Sequence, residues 1–136
     1  MEMTVDFPGG ARVNAHFGSF TVETDQPGSN GAEGTAPTPF EVFLASLATC
    51  AGFYVLGFCK RRGIPFEGIR LVQKVDRDAE SKLPAKIRLE IQLPQSFPRQ
   101  YASAVRRAAE SCLVKRTLEN PPAFEVVTAG QSPAAP

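Results

Sequence analysis

The hydrophobic pattern of the chain centres on one long apolar stretch, residues 38–63, which reads TPFEVFLASLATCAGFYVLGFCKRRG. No charged side chain lies between Glu41 and the basic triplet near its end. Thr38 suits the N-cap, Pro39 suits the first helical position, and Glu41 completes a capping box. Gly63 can close the helix after a basic last turn. The pattern therefore predicts a long helix between Thr38 and Gly63.

The apolar residues of this stretch fall on every face of the predicted helix, so the helix must be covered on all sides. A sheet of the same chain covers only one side, and we therefore expect a second copy to cover the rest in a dimer. The eighteen uncharged residues 42–59 reach only the lower limit for a membrane span. Ser46, Thr49, Gly52 and Gly57 dilute their apolar character, so a membrane span is the weaker interpretation.

Shorter alternating stretches predict antiparallel strands on both sides of this helix. The predicted strands are Thr4 to Phe7, Arg12 to Phe17, Phe20 to Thr24, Glu67 to Arg77, and Ala85 to Leu93. The last of them alternates most regularly, with apolar residues at Ile87, Leu89 and Ile91. Residues 25–37 are rich in glycine, proline and small polar side chains, and we expect them to form a loop.

A second helix of opposite character is predicted from Pro98 to Glu119, with a single apolar stripe that turns Cys112 inward. A short strand from Phe124 to Thr128 is expected next, and residues 131–136 are expected to be a disordered tail. With 136 residues and no repeat or linker, the chain is expected to form one domain, residues 1–130, of the α+β class.

Charge and composition narrow the classes of function. Fifteen basic side chains against fourteen acidic ones give no excess of positive charge for nucleic acid or an anionic membrane. The N-terminus lacks the pattern of a signal peptide, so we expect a cytoplasmic protein whose three cysteines are thiols. Zinc fits poorly because the cysteines have no C-x-x-C spacing and His16 is distant in sequence. We therefore predict no metal and no cofactor, and interpret His16 as a solvated strand residue.

The cysteines are the residues with potential chemistry. Cys50 and Cys59 are nine positions apart, which places them on opposite sides of the predicted helix, and Cys59 is most simply a packing residue. Cys50 and Cys112 both lie on buried helix faces, and two buried helices of a small domain are expected to touch. Since burial raises the pKa of a thiol, Cys50 would need a nearby cation, for which Arg12 is the candidate.

Glu41 could orient that arginine, but it lies nine residues before Cys50, on the opposite side of the helix and about 13 Å along it. If Glu41 belongs to the Cys50 site, it should therefore come from the partner subunit. Its place in a capping box with Thr38 accounts for it equally well.

Two motifs resemble those of the OsmC/Ohr superfamily. Residues 34–50, GTAPTPFEVFLASLATC, are similar to its central-helix signature, and AAESCLVKRTLE around Cys112, followed by a short FEV strand, is similar to its second cysteine motif. The resemblance extends from about Arg12 to Val127. It implies an intertwined homodimer of α+β subunits, with two long central helices packed between six-stranded antiparallel sheets.

The resemblance also implies an activity, the reduction of organic hydroperoxides. Cys50 would attack the peroxide and become a sulfenic acid, Cys112 would condense with it to a disulfide, and an external dithiol would reduce that disulfide. An arginine of the N-terminal strands and a glutamate at the start of the central helix assist in such proteins, and Arg12 and Glu41 correspond to them here. Apolar walls would favour fatty or aromatic hydroperoxides.

The glutamate of the peroxidases directly follows the proline, whereas here Phe40 takes that place and Glu41 comes one residue later. One helical step rotates a side chain by about 100°. A second interpretation therefore stays open, in which the protein is a non-catalytic binder of a small apolar ligand at the dimer interface. A third is a different thiol-dependent activity.

Overall fold

The computed structural model describes residues 1–28 and 32–130, so the predicted tail at 131–136 lies outside the described residues. The strands are β1 (Thr4–Gly9), β2 (Arg12–Phe17), β3 (Phe20–Thr24), β4 (Arg70–Arg77) and β5 (Pro84–Gln92). The helices are α1 (Pro39–Arg62), α2 (Ala102–Glu110) and α3 (Leu113–Glu119), with a 3-10 turn at Arg99–Tyr101. The fold is α+β, as predicted.

The strands form two antiparallel sheets. The first has the order β1-β2-β3 and the second pairs β4 with β5. In the first sheet Val5 pairs with Ala15, and Ala15 pairs with Val22, so these residues share one apolar face. This N-terminal sheet makes few contacts with the helices and with the β4-β5 sheet. The protomer therefore has two parts, joined by the segment that leads from β3 into α1.

Helix α1 begins and ends where the sequence predicts. The Thr38 hydroxyl accepts a hydrogen bond from the Glu41 N–H at 3.2 Å, and the Glu41 carboxylate accepts one from the Thr38 N–H at 2.8 Å. Gly63 ends the helix in the left-handed conformation, at φ 62°, which glycine adopts without strain. By length and composition alone α1 could cross a membrane, a test that the core helix of a soluble protein also passes.

One side of α1 forms the core of the protomer. Its buried residues follow a single stripe, which consists of Leu47, Ala51, Val55, Phe58 and Cys59. This stripe packs against Val105 and Ala109 of α2 and against Cys112. Although α1 is apolar on all sides, the rest of its surface is half-buried or exposed in the protomer.

The second predicted helix is broken, which is the main difference between the predicted and observed elements. A 3-10 turn precedes α2, α2 ends at Glu110, and Cys112 is extended (φ −52°, ψ 126°) before α3 starts at Leu113. The strand expected from Glu67 starts only at Arg70, since Gly68 lies in a turn with φ 82°.

The strand predicted from Phe124 to Thr128 is wrong for the protomer. These residues are outside the strands of the described chain, and the side chains of Phe124 and Val126 are 88% and 96% exposed. A strand exists only where a neighbouring strand takes up its backbone hydrogen bonds, and no such neighbour lies beside this segment in the described residues.

Candidate thiol site

The structure brings Cys50 and Cys112 together where α1 passes the break between α2 and α3. The two thiols lie close enough together for each to shift the pKa of the other, and both are free cysteines. Cys112 is buried, with 2% of its surface exposed, while Cys50 is half-buried. The Cys112 sulfur also lies 3.9 Å from the Leu47 carbonyl oxygen, a weak contact to the turn of α1 that precedes Cys50.

The environment of Cys50 favours its thiolate. Burial raises the pKa of the Cys50 thiol, but hydrogen bonds from the Val114 N–H, from the Cys112 thiol and from the Leu113 N–H lower it by more. The net pKa therefore lies below the ordinary value for a cysteine. These donors stabilise the negative charge directly, as hydrogen bonds to an anion do.

The other two cysteines have the opposite tendency. Burial raises the pKa of Cys112, and although the N–H groups of Lys115 and Val114 oppose this, the hydrogen bond and charge of Cys50 raise it further. Burial also raises the pKa of Cys59, whose side chain is fully enclosed in the core. Among the three thiols, Cys50 is therefore the one whose pKa is lowered.

The helix break creates this environment. The N–H groups of Ser111 and Cys112 bond to the Ala108 and Ala109 carbonyls and close the last turn of α2. Because Cys112 is then extended, α3 starts afresh, and its first N–H groups have no carbonyl of a preceding turn to bind. Those of Leu113 and Val114 instead lower the pKa of Cys50. The sequence gives no glycine or proline at this break, so local reasoning missed these donors.

Glu41 lies at the start of α1, where its carboxylate accepts hydrogen bonds from the Thr38 N–H and hydroxyl. These two bonds lower its pKa, and the charge of Arg77 lowers it further. The Arg77 guanidinium lies 5.2 Å from the centre of the Phe40 ring. The protomer thus keeps Glu41 about 13 Å along α1 from Cys50, and Arg77 is a cation near it that the sequence analysis did not identify.

Arg12 lies at the tip of the β1-β2 hairpin, where its Nε donates to the Gly9 carbonyl at 3.5 Å. It borders a small recess together with Asp25 and Glu33. Within the protomer it does not contribute to the pKa of Cys50. Any role of Arg12 at the thiol site therefore requires a second copy of the chain.

His16 lies on the polar face of the N-terminal sheet. Its Nε2 is 3.0 Å from the Asp6 carboxylate, and its Nδ1 is 3.0 Å from the Thr21 hydroxyl. The histidine side chain is 39% exposed. These contacts join the three strands of the sheet across a solvated face, as expected for a strand histidine.

A cavity of about 490 Å³ lies beside the thiol site, between β5 and the helices. Its apolar wall includes Ile87, Leu89 and Ile91 of β5, and its floor includes Leu47 and Cys112. Cys50 lies outside the cavity lining. The apolar space of the protomer therefore reaches the second cysteine and not the first.

Solved structures with the same architecture include several proteins of related description. A protein from Psychrobacter arcticus, assigned to osmotic stress and detoxification, has a TM-score of 0.71 at 21% identity, over 85% of each chain. An organic hydroperoxide resistance protein from Legionella pneumophila has a TM-score of 0.52 at 20% identity, over 87% of this chain and 89% of the other. OhrB of Bacillus subtilis, also an organic hydroperoxide resistance protein, has a TM-score of 0.50 at 21% identity, over 88% of this chain and 93% of the other. At such identities the likeness concerns the fold alone.

No curated protein matches the chain. The model of the family described as OsmC-like protein matches residues 31–127, which include α1, the β4-β5 sheet and both cysteines of the thiol site. The match spans well over half of the sequence and agrees with the fold. The chain therefore belongs to the OsmC-like family.

Proposed function

We propose that the protein is a thiol-dependent peroxidase that reduces organic hydroperoxides. The observation that carries this proposal is the adjacent pair of Cys50 and Cys112 on facing elements of the core, with the pKa of Cys50 lowered and that of Cys112 raised. Two solved structures of the same fold are described as organic hydroperoxide resistance proteins, which agrees with such an activity.

In the first step the Cys50 thiolate attacks the distal oxygen of the hydroperoxide. The O–O bond breaks, the alkoxide takes a proton and leaves as an alcohol, and Cys50 becomes a sulfenic acid. In the second step the Cys112 sulfur attacks the Cys50 sulfur, which forms a disulfide and releases water. An external dithiol then exchanges with this disulfide, becomes oxidised itself and returns both thiols.

The raised pKa of Cys112 fits the second role. Part of that rise comes from the hydrogen bond and the charge of Cys50. When Cys50 becomes a neutral sulfenic acid, its charge is gone, so the Cys112 thiol ionises more readily. Loss of the Cys50 charge on oxidation would therefore favour the attack of Cys112 only after Cys50 has reacted with the hydroperoxide.

The proposal includes a homodimer, for which the exposed apolar surface is the main support. The apolar face of the N-terminal sheet has no cover in the protomer, where Val5 is 53% and Phe20 is 66% exposed. Phe53 on the outer side of α1 is also exposed. Patches of this kind usually mark protein interfaces, and the unpaired strand-like segment 124–128 could add to a sheet of a second copy.

Charge also favours association of the two parts between copies. Residues 1–37, which precede α1 and its cap, carry five acidic and one basic side chain, whereas residues 38–136 carry nine acidic and fourteen basic ones. The N-terminal part of one copy and the helical part of another are therefore opposite in net charge, which favours their association. In such a dimer, Arg12 or Glu41 of the partner subunit would complete the Cys50 site. We place this dimer in the cytoplasm, where thiols stay reduced.

A second candidate function is the non-catalytic binding of a small apolar ligand. The cavity of about 490 Å³ favours it, because its size is typical of small-molecule sites. The one-residue displacement of Glu41 also leaves this function open.

Turnover in solution tests the proposed activity. The reduced protein is mixed with cumene hydroperoxide and a dithiol, and hydroperoxide consumption is followed. Cys50→Ser should abolish turnover. Cys112→Ser, treated with the hydroperoxide in the absence of the dithiol, should consume one equivalent and stop as a sulfenic acid that dimedone traps. Cys59→Ala is the matched control and should behave like the unchanged protein. Consumption no faster than that by a free small-molecule thiol would exclude the peroxidase and leave the ligand binder.

A further inference from the structure

We propose that the cavity beside Cys112 is a binding site for an anionic amphiphile, a molecule with an acyl-like tail and one carboxylate. The inference develops the second candidate function and does not depend on peroxidase activity. It assigns the ligand to a site inside each protomer, whereas the interface between subunits would hold the hydroperoxide.

The cavity has a buried inner part and an open outer part, which suit the apolar tail and the charged head of the ligand respectively. Its inner part is buried and almost entirely apolar, formed by Val105, Ala109 and Cys112 of the helical side. Its outer part opens to solvent, and two apolar lining residues there, Ile87 and Leu118, are 36% and 49% exposed. A tail would therefore enter first and lie along β5, because this removes apolar surface from water on both molecules.

The charges are confined to the open end. The lining contains two cations, Arg106 and Lys115, and one carboxylate, Glu110, all of them exposed. Arg106 is paired with Glu110 at 3.8 Å and Lys115 with Glu119 at 2.7 Å, both at the surface. Exposed ion pairs of this kind contribute little, so a ligand carboxylate can take over either cation. The surplus of positive charge in the lining selects an anionic head over a cationic one.

Direct titration tests the proposal, with sodium decanoate as the probe and 1-decanol as its uncharged counterpart. Calorimetry on the reduced full-length protein should show decanoate binding, and shorter carboxylates should bind more weakly, by about fourfold for each methylene removed. The double variant Arg106→Gln, Lys115→Gln should lose about tenfold in decanoate affinity and leave decanol binding unchanged. Glu110→Gln should bind decanoate more tightly.

Neighbouring residues provide matched controls. Arg107 and Arg116 are on the same helices but outside the cavity lining, so Arg107→Gln, Arg116→Gln should leave decanoate affinity unchanged. Ala102→Phe at the cavity wall should block binding, and Ala109→Leu provides a second blocking variant if the first misfolds. In isotope-labelled protein, the methyl signals of Ile87 and Leu118 should shift on addition of decanoate.

The outcomes separate this inference from the proposed peroxidase. Decanoate binding that persists in Cys50→Ser supports the cavity site whether or not the protein turns over hydroperoxides. Turnover without decanoate binding overturns the cavity site alone. Equal effects of the lining variants and the control variants on decanoate affinity would also overturn it. So would a dimer that binds no decanoate because Phe124 to Val127 or a second copy fills the cavity.

Discussion

The thiols of Cys50 and Cys112 lie close enough together to shift each other's pKa, and the two pKa values move in opposite directions. The difference comes from the backbone around them: the N–H groups of Val114 and Leu113 favour a thiolate at Cys50, while burial and the neighbouring Cys50 charge disfavour one at Cys112. This difference in pKa agrees with the proposed roles, in which Cys50 attacks the hydroperoxide and Cys112 forms the disulfide.

The first prediction concerns the pKa of Cys50. Cys112→Ala removes one of the three hydrogen bonds that lower it, so the pKa should rise toward the ordinary cysteine value. The rate of alkylation of Cys50 by iodoacetamide is measured against pH in Cys59→Ala, with and without Cys112→Ala. The midpoint of the rate profile should lie at higher pH when Cys112 is replaced. A midpoint that stays in place would show that the backbone donors act without Cys112.

The second prediction separates the two roles of Glu41. Glutamine can close a capping box as glutamate does, so Glu41→Gln should hardly change the free energy of unfolding. Thr38→Ala removes the cap and should cost about 1 kcal/mol in urea unfolding, with the Glu41 charge intact. If Glu41 of the partner subunit assists Cys50, Glu41→Gln should reduce hydroperoxide turnover more than Thr38→Ala does. The reverse order would leave Glu41 with its capping role alone.

The third prediction concerns Asp25, which holds the segment before α1 in place. Its carboxylate, in a residue only 1% exposed, accepts hydrogen bonds from the Gln26 N–H, the Thr35 N–H and the Thr35 hydroxyl. Asn at this position would present a donor to groups that are themselves donors. Asp25→Asn should therefore lower the melting temperature at pH 7, whereas Asp76→Asn on exposed β4 should not.

The same residue gives a pH dependence of defined sign. Hydrogen bonds from Thr35 and Gln26 hold the folded-state pKa of Asp25 below its ordinary value of 3.8. The stabilisation is therefore complete above that pH and is lost as the pH falls through the folded-state pKa. The unchanged protein and Asp25→Asn should accordingly approach the same stability in acid. A difference in melting temperature that is constant from pH 7 to strongly acidic pH would contradict this account.

The fourth prediction tests the proposed dimer on two adjacent residues of β1. Val5 belongs to the uncovered apolar face of the N-terminal sheet, while Thr4 pairs with His16 on the polar face. Val5→Glu should weaken association because it buries a charge without a partner, and Thr4→Glu should leave it unchanged. Sedimentation at several protein concentrations measures both. A protein that sediments as a monomer in all three forms would remove the dimer from the proposal.

The sequence was most informative where structure depends on neighbours along the chain. Thr38, Glu41 and Gly63 set the bounds of α1 through contacts within a few residues, and these bounds agree with the structure. The strand at Arg12–Phe17 was likewise predicted to the residue, because alternation is a local property.

The sequence was least informative where structure depends on distant contacts. The break at Ser111 and Cys112 carries no glycine or proline, and it is recognisable only from the contacts that Cys112 makes with Leu47 and Cys50 across the core. The strand expected at Phe124 failed for a related reason, since a pattern gives the propensity of a strand but not its neighbour. The same holds for Arg12, because the sequence places it on β2 but not relative to Cys50, and in the protomer it does not contribute to the pKa of Cys50.

The most direct test of the thiol pair is the intact mass of the reduced protein after one equivalent of cumene hydroperoxide per chain. The account predicts rapid loss of two hydrogen atoms per chain, located by peptide mapping as a bond between Cys50 and Cys112, with Cys59 still free. An unchanged mass, or slow oxidation spread over all three cysteines, would contradict it.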